Sequence, residues 1–383
     1  MSEYKFDVAV IGGGPAGSSS AIHLALAGIE VCIFERKNFP REVLCGEFLS
    51  KEVGEEIKEL NLFDKFLLLN PQKIKSFSLK NNNLKELSIN FQFEAFSLRR
   101  SVFDSFLLEE AKISGVKIFQ PVEIKSVLKN KDGYALEGKK GNGERISVKS
   151  KFIIAAYGKQ NILDKNLHRK FVDQKSNLNG IKFHIDKKYL NNFNSEEIQL
   201  YVGNGIYCGI NSVNKVDATV CFLYNKKEFV SSPRLQISEL MKKNKKFSEL
   251  FNTGLNSILD ELKIYGTGNI YFGKRELVKD GIFMVGDSAG VIAPLAGDGI
   301  GMALQGSSIL CETLISGIRK NYNIDVIGGN YIDNWNKNFS KRVITARIIQ
   351  WIIFNNKFRN SCIALVKNIP GLLRLFVKLT RGN

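Results

Sequence analysis

Two glycine-rich stretches hold the residues whose types and spacing best suit chemistry: IGGGPAG at residues 11 to 17 and GDSAGVIAPLAGDGIG at residues 286 to 301. In the first, Gly12, Gly14 and Gly17 follow a G-x-G-x-x-G spacing. Gly12 permits a tight turn, Gly14 lets a pyrophosphate approach the backbone, and Gly17 lets a helix pack close to a strand. Pro15 and Ala16 open that helix, whose free N–H groups face the phosphates. Glu35, about 20 residues further on, can accept both ribose hydroxyl hydrogen bonds, and Arg36 adjoins it as a further cofactor-binding candidate. This arrangement predicts a dinucleotide site without separating FAD from NAD.

In the second stretch the strand-like IFMVG stops at Gly286 and Asp287. Asp287 then lies at the carboxyl end of a strand, where ligands of open α/β sheets bind, and its carboxylate can accept hydrogen bonds from a polyol such as ribityl. After Pro294 the chain turns through Gly297 and Gly299 into a helix that includes Ile300. Small residues there let the helix start approach a planar ring, and its partial positive charge favours an anionic reduced flavin.

The elements that must position these residues follow from local pattern. FDVAVI is a β-branched run of the kind buried on both faces of a parallel sheet. SSSAIHLALAG has helical apolar spacing and closes at Gly28, and VCIFE is a second strand ending in Glu35. With 383 residues, 44% of them hydrophobic, the chain can bury a large core in two domains or in one with a substantial insertion. The net charge of +17 is scattered, and no basic helix with interleaved aromatics accompanies it, so a nucleic-acid partner is not expected. Cys32, Cys45, Cys208, Cys221, Cys311 and Cys362 form no C-x-x-C pair, and with three histidines no dedicated metal site is expected. Reduced thiols fit a cytoplasmic protein. No apolar run reaches the length of about 18 that spans a bilayer, so a soluble or peripheral protein is expected.

The pairing of an N-terminal G-x-G-x-x-G with a late GD and P-x-x-G-x-G-I resembles the FAD-dependent geranylgeranyl reductase family, within the p-hydroxybenzoate hydroxylase-like flavoproteins. The resemblance covers most of residues 5 to 320 and implies FAD as cofactor. FPREVLCGEFLS, residues 39 to 50, is similar to the family's loop in which a Cys-Gly pair lies beside the flavin, here Cys45 and Gly46; Cys45 is either chemical or a buried structural thiol. RRSVFDSFLLEEAKISGVKI matches the family's R-x-x-F-D helix, which implies that Arg100 reaches the flavin's phosphates or ribityl chain. The strand after it, around Ile124, would touch the adenine through its backbone. FIIAAYGKQNILD looks like the strand and turn that usually reads A-D-G, with Tyr157 where Asp is common. Tyr207 is the substrate candidate: it is the one residue kept from the family's Y-x-W-x-F-P stretch. His23, His168 and His184 lie at unrelated positions, and His184 reads as a packed or exposed strand residue.

The expected architecture is α/β: a discontinuous Rossmann-type FAD-binding domain (1–72, 97–166 and 272–325), an inserted antiparallel-sheet substrate domain (73–96 and 167–271) and a helical C-terminal region (326–383). The resemblance implies an FAD-dependent oxidoreductase acting on an apolar small molecule, whether lipid, isoprenoid, polyene or aromatic, by hydride transfer at flavin N5. Gly290 stands where the related hydroxylases usually have His, which favours a reductase or dehydrogenase over an NAD(P)H-dependent monooxygenase. The absence of a W-x-W-x-I-P motif argues against a halogenase. A non-enzymatic prenyl-lipid carrier resembling Rab escort proteins is the alternative of a different class. No second strand, G-x-G-x-x-G and helix unit is present, so NAD(P)H, ferredoxin and reduced quinone all stay open as electron donor. After Pro370, Arg374, Lys378 and Arg381 share one helical face, with Leu372, Leu375, Phe376 and Leu379 mainly on others. Such a helix either docks on the FAD domain or lies peripherally on an anionic membrane surface and admits a lipid-like substrate.

Overall fold

A computed structural model describes residues 4–81, 84–203, 205–227, 232–243, 245–251, 258–369 and 371. The expected helix of Arg374, Lys378 and Arg381 lies outside the described residues.

The apolar run of Tyr4–Ile11 pairs in parallel with Val31–Phe34 on one side and Arg145–Ala155 on the other. Val8, Ala9, Val10, Ile33 and Ile154 are fully buried, as a strand covered on both faces requires. The sheet extends in parallel to Lys117–Phe119 at one end and Ile282–Met284 at the other, and Val278–Lys279 closes the latter end antiparallel. A hairpin of Val122–Asn130 and Gly133–Lys140 hangs antiparallel on Arg145–Ala155. The helices Pro15–Leu26, Arg100–Ile113 and Gly299–Arg319 cover this sheet. Ser307 Oγ donates to Ala16 O at 2.8 Å and Cys311 Sγ to Ser20 O at 3.3 Å, so small residues bring the first and last of these helices together.

The second sheet has the order Tyr265–Thr267, Leu178–Asp186, Asp217–Asn225, Ile206–Ser212, Glu197–Gly203, Gln72–Asn81, Leu84–Ser97, Phe48–Leu49. Sequence alternation predicts an antiparallel sheet, and one pair departs from it. Glu197–Gly203 lies parallel to Gln72–Asn81, because those strands come from separate segments with no hairpin between them. Ile181, Phe183 and Ile185 point into a core of their own, which leaves Lys182 and His184 on the face toward the first sheet's loops.

Two helices, Ile324–Phe354 and Asn356–Asn368, complete the described chain. Tyr331 Oη donates to Met284 O at 2.6 Å and fixes the long helix to the end of the first sheet. Arg359 Nη1 donates to Gly203 O at 2.7 Å and fixes the last helix to the second.

Candidate functional site

The N-terminal turn is built by close approach. Gly12 adopts φ +111°, and a Cβ there would lie 2.4 Å from Ala156 O; one on Gly17 would lie 1.8 Å from Gly12 O. Gly14 differs, since the nearest atom to its Cβ position is Arg41 Nη2 at 3.4 Å, and its open side faces a cavity. The helix that begins at Pro15 has no side-chain cap, so its first N–H groups are available to a ligand. Glu35 is buried at the end of Val31–Phe34: its carboxylate accepts from Gly13 N and Lys37 N, both at 2.9 Å, which pins the glycine turn to the second strand.

The cavity has a volume of about 1490 Å³ and runs between the two sheets. Gly12, Gly14, Pro15, Ala16, Glu35, Arg36, Cys45, Gly46, Arg100, Ile124, Gly286, Asp287, Pro294, Gly297, Gly299, Ile300 and Tyr207 all line it. Of the cofactor- and substrate-binding candidates, Gly17 does not, because it lies beneath the turn. Arg100 is held by Asp104 through bonds of 2.7 and 2.9 Å, and Arg41 Nη1 approaches the same carboxylate at 3.3 Å. Burial opposes the Arg100 charge, but Asp104 overcomes it and raises the pKa. Cys45 is half-buried and accepts from Glu47 N at 3.3 Å.

Two buried ion clusters that the sequence did not reveal hold the cavity's loops. Arg169 bonds Asp164 at 2.8 Å and donates to Glu276 O and Ser288 O at 2.8 and 2.7 Å. That fixes the short Gly286–Ser288 turn carrying Asp287. Tyr157, out of place by the A-D-G pattern, belongs to this cluster and donates to Asp164 at 2.8 Å. At the start of Gly299–Arg319, Asp298 does not cap the helix. Its carboxylate binds Arg342 and accepts from Ser50 Oγ at 3.3 Å, while Arg342 Nη1 reaches Gln305 at 2.8 Å.

A third cluster sits where the second sheet meets the 39–50 loop. The Lys182 ammonium, fully buried, contacts Glu47 at 2.6 Å, Glu42 at 2.7 Å and Val43 O at 3.2 Å. His184 Nε2 lies 2.6 Å from the other oxygen of Glu47, and Arg100 N donates to Glu47 at 3.0 Å. Burial alone would raise the Glu47 pKa; the His184 hydrogen bond and the Lys182 charge hold it at about 2. His184 is thus a packed strand residue, and its ring is held by Glu47. Glu42, Glu47 and His184 have the ligand types of a metal cluster, yet the Lys182 ammonium already bonds both carboxylates there. Lys182 escapes sequence reading because its partners are 135 and 140 residues away.

A parallel sheet whose first turn offers open N–H groups, with a buried carboxylate at the next strand end, defines an α/β dinucleotide-binding fold. A family model described as an FAD binding domain matches residues 5–323, and the chain belongs to that family. It is 24% identical to the 1H-pyrrole-2-carbonyl-(peptidyl-carrier protein) chlorinase of Pseudomonas fluorescens over 358 residues, 84% of this chain and 78% of the chlorinase. It is also 24% identical to the digeranylgeranylglycerophospholipid reductase of Methanococcus vannielii over 418 aligned positions, 98% and 99% of the two chains. Among solved structures, the flavin-dependent brominase Bmp2 superposes with a TM-score of 0.80 at 18% identity, covering 98% of this chain and 93% of its own. The fold is thus that of FAD-dependent oxidoreductases. Halogenases stand beside reductases among the relatives even though W-x-W-x-I-P is absent, so the family is broader than the reductases alone.

The residues present fit FAD: Gly14 is open to the cavity where a side chain would intrude, and the uncapped helix start and buried Glu35 supply donors and an acceptor of the required kinds.

Proposed function

We propose that the protein is an FAD-dependent oxidoreductase acting on an apolar small molecule by hydride exchange, as a reductase or dehydrogenase. The carrying observation is the change of character along one cavity. Its wall is polar at Glu35, Arg100 and Asp287 and apolar beneath the second sheet, where Leu79, Leu87, Phe91, Leu200, Leu223 and Ile353 line it. Bound FAD supplies a ring whose N5 exchanges hydride with a carbon centre. Gly12 to Gly17 would hold the pyrophosphate, Glu35 the adenosine ribose and Asp287 the ribityl chain, with the start of Gly299–Arg319 beside the ring. Arg41 and Arg100 add positive charge near the turn. The apolar wall binds the substrate through roughly 25 cal/mol per Å² buried and keeps water from the reacting carbon. Tyr207 is 5% exposed and its hydroxyl finds no hydrogen-bond partner among the described residues, so it is available to a polar group of the substrate. Near-complete alignment with the Methanococcus vannielii reductase supports this reading.

The chlorinase and brominase likenesses favour a second reading, in which the reduced protein reacts with oxygen to halogenate or hydroxylate its substrate. Stopped-flow mixing of photoreduced enzyme with oxygen, with and without an unsaturated lipid, separates the two. Direct return to the oxidised spectrum, with faster oxidation by the lipid under anaerobic conditions, is expected. A long-lived absorbing species between the two end states would move the assignment to the second reading.

A further inference from the structure

We infer that the exposed apolar face of the two C-terminal helices is a docking surface for an anionic phospholipid bilayer. On Ile324–Phe354, Ile344, Ile348 and Trp351 are 58, 54 and 56% exposed, and the i, i+4, i+7 spacing sets them on one face. Phe358, Leu365 and Ile369 on the adjoining segment are 49, 53 and 48% exposed. The Trp351 and Phe358 rings lie 5.3 Å apart and join the two helices into one patch. A contiguous apolar surface of this kind marks an interaction site rather than scattered exposure.

Charge selects the occupant. No Asp or Glu follows Asp333, and every later charged side chain is Lys or Arg. Arg347 is exposed on the same turns of helix as the apolar face, and Lys341 and Lys337 are exposed about one and two turns before it. A second copy would bring these like charges together, whereas anionic headgroups neutralise them. None of the described helices is long and apolar enough to cross a membrane, so the helices lie on the surface.

The patch is continuous with the cavity. Ile349, Ile352, Ile353, Ile363 and Val366 on the same two helices line it, and Leu365 is both exposed and part of its wall. The helical pair therefore has one side on the lipid and one on the cavity, which gives an acyl or prenyl chain a path that avoids water.

The chain has two tryptophans, and Trp335 is only 2% exposed, so Trp351 reports on the face. FAD-loaded full-length protein is mixed with vesicles of phosphatidylcholine alone or with phosphatidylglycerol. Sedimentation with the anionic vesicles, weakened by salt, is expected. So is a blue shift of tryptophan emission that brominated acyl chains quench and that Trp351→Phe abolishes. The double variant Ile344→Glu/Ile348→Glu should retain FAD and lose about tenfold or more in vesicle affinity. The inference is overturned if the protein stays in the supernatant with both vesicle types. It is equally overturned if the blue shift appears without lipid and the mass doubles with concentration, which makes a second copy the occupant. Vesicle binding without any turnover of unsaturated lipid would overturn the substrate reading and leave the docking face intact.

Discussion

Glu47 and Glu56 lie on either side of Ser50, the first in the loop beside the cavity and the second on the helix Lys51–Glu59. Both are buried, at 0 and 6% exposure. Glu47 meets Lys182, His184 and Arg100 N, and its pKa falls to about 2. Glu56 Oε2 finds no donor among the described residues; burial first, then the charges of Glu59, Glu312 and Glu55, push its pKa up to about 8. Desolvation acts in the same direction on both, so the partners alone decide which acid is ionised at neutral pH. Glu47 also holds φ +61°, an unfavourable backbone for a residue with a Cβ, which persists because three partners fix its side chain. In one region charge is buried to fix a loop, and in the other it is discharged.

The largest test of that contrast removes the cation. Lys182→Met should cost about 3–5 kcal/mol in urea unfolding at pH 7, because two carboxylates lose their counter-ion in a buried site. The depressed Glu47 pKa contributes roughly 3 kcal/mol that is present above its unfolded value and lost as pH falls through about 2. The variant's deficit should therefore shrink in acid. Lys182→Met/Glu47→Gln should recover part of the loss. A cost below about 1 kcal/mol for the single variant would mean that solvent, not Lys182, stabilises Glu47.

Glu56→Gln tests the other side with the opposite sign. The raised pKa means that its contribution is fully present below the unfolded value and is lost as pH rises through about 8. The parent should lose stability between pH 5 and pH 9, and the variant should gain about 2–4 kcal/mol over it at pH 9 while matching it within about 1 kcal/mol at pH 5. Equal pH profiles for the two proteins would show that Glu56 reaches a donor or water in solution.

The cofactor end was legible in the sequence because local residues make it: strand, Gly12, Gly14, Gly17, helix and Glu35 fall within one short stretch. The late motif was legible for the same reason. Lys182 was not, since IKFHI alternates as a strand with one wet face would, and alternation cannot show that the second face lies against Glu42 and Glu47. Tyr157 reads as a fault in a motif, yet its hydroxyl bonds Asp164 beside Arg169, whose Nη2 bonds two carbonyls more than 100 residues on. Long-range ion clusters leave no periodicity to read.

Tyr207 gives the smallest predicted effect and extends the contrast to the substrate end. Like Glu56, it is buried with a polar atom that has no partner among the described residues, and burial raises its pKa well above the ordinary value. Removing a hydroxyl with no partner should not destabilise the free protein, so Tyr207→Phe should unfold within about 1 kcal/mol of the parent. If a polar group of the substrate completes that hydrogen bond, the same change should raise KM by up to about tenfold with FAD affinity unchanged. A stability loss above about 1.5 kcal/mol would place Tyr207 with Glu47 instead, as a group already satisfied before any substrate arrives.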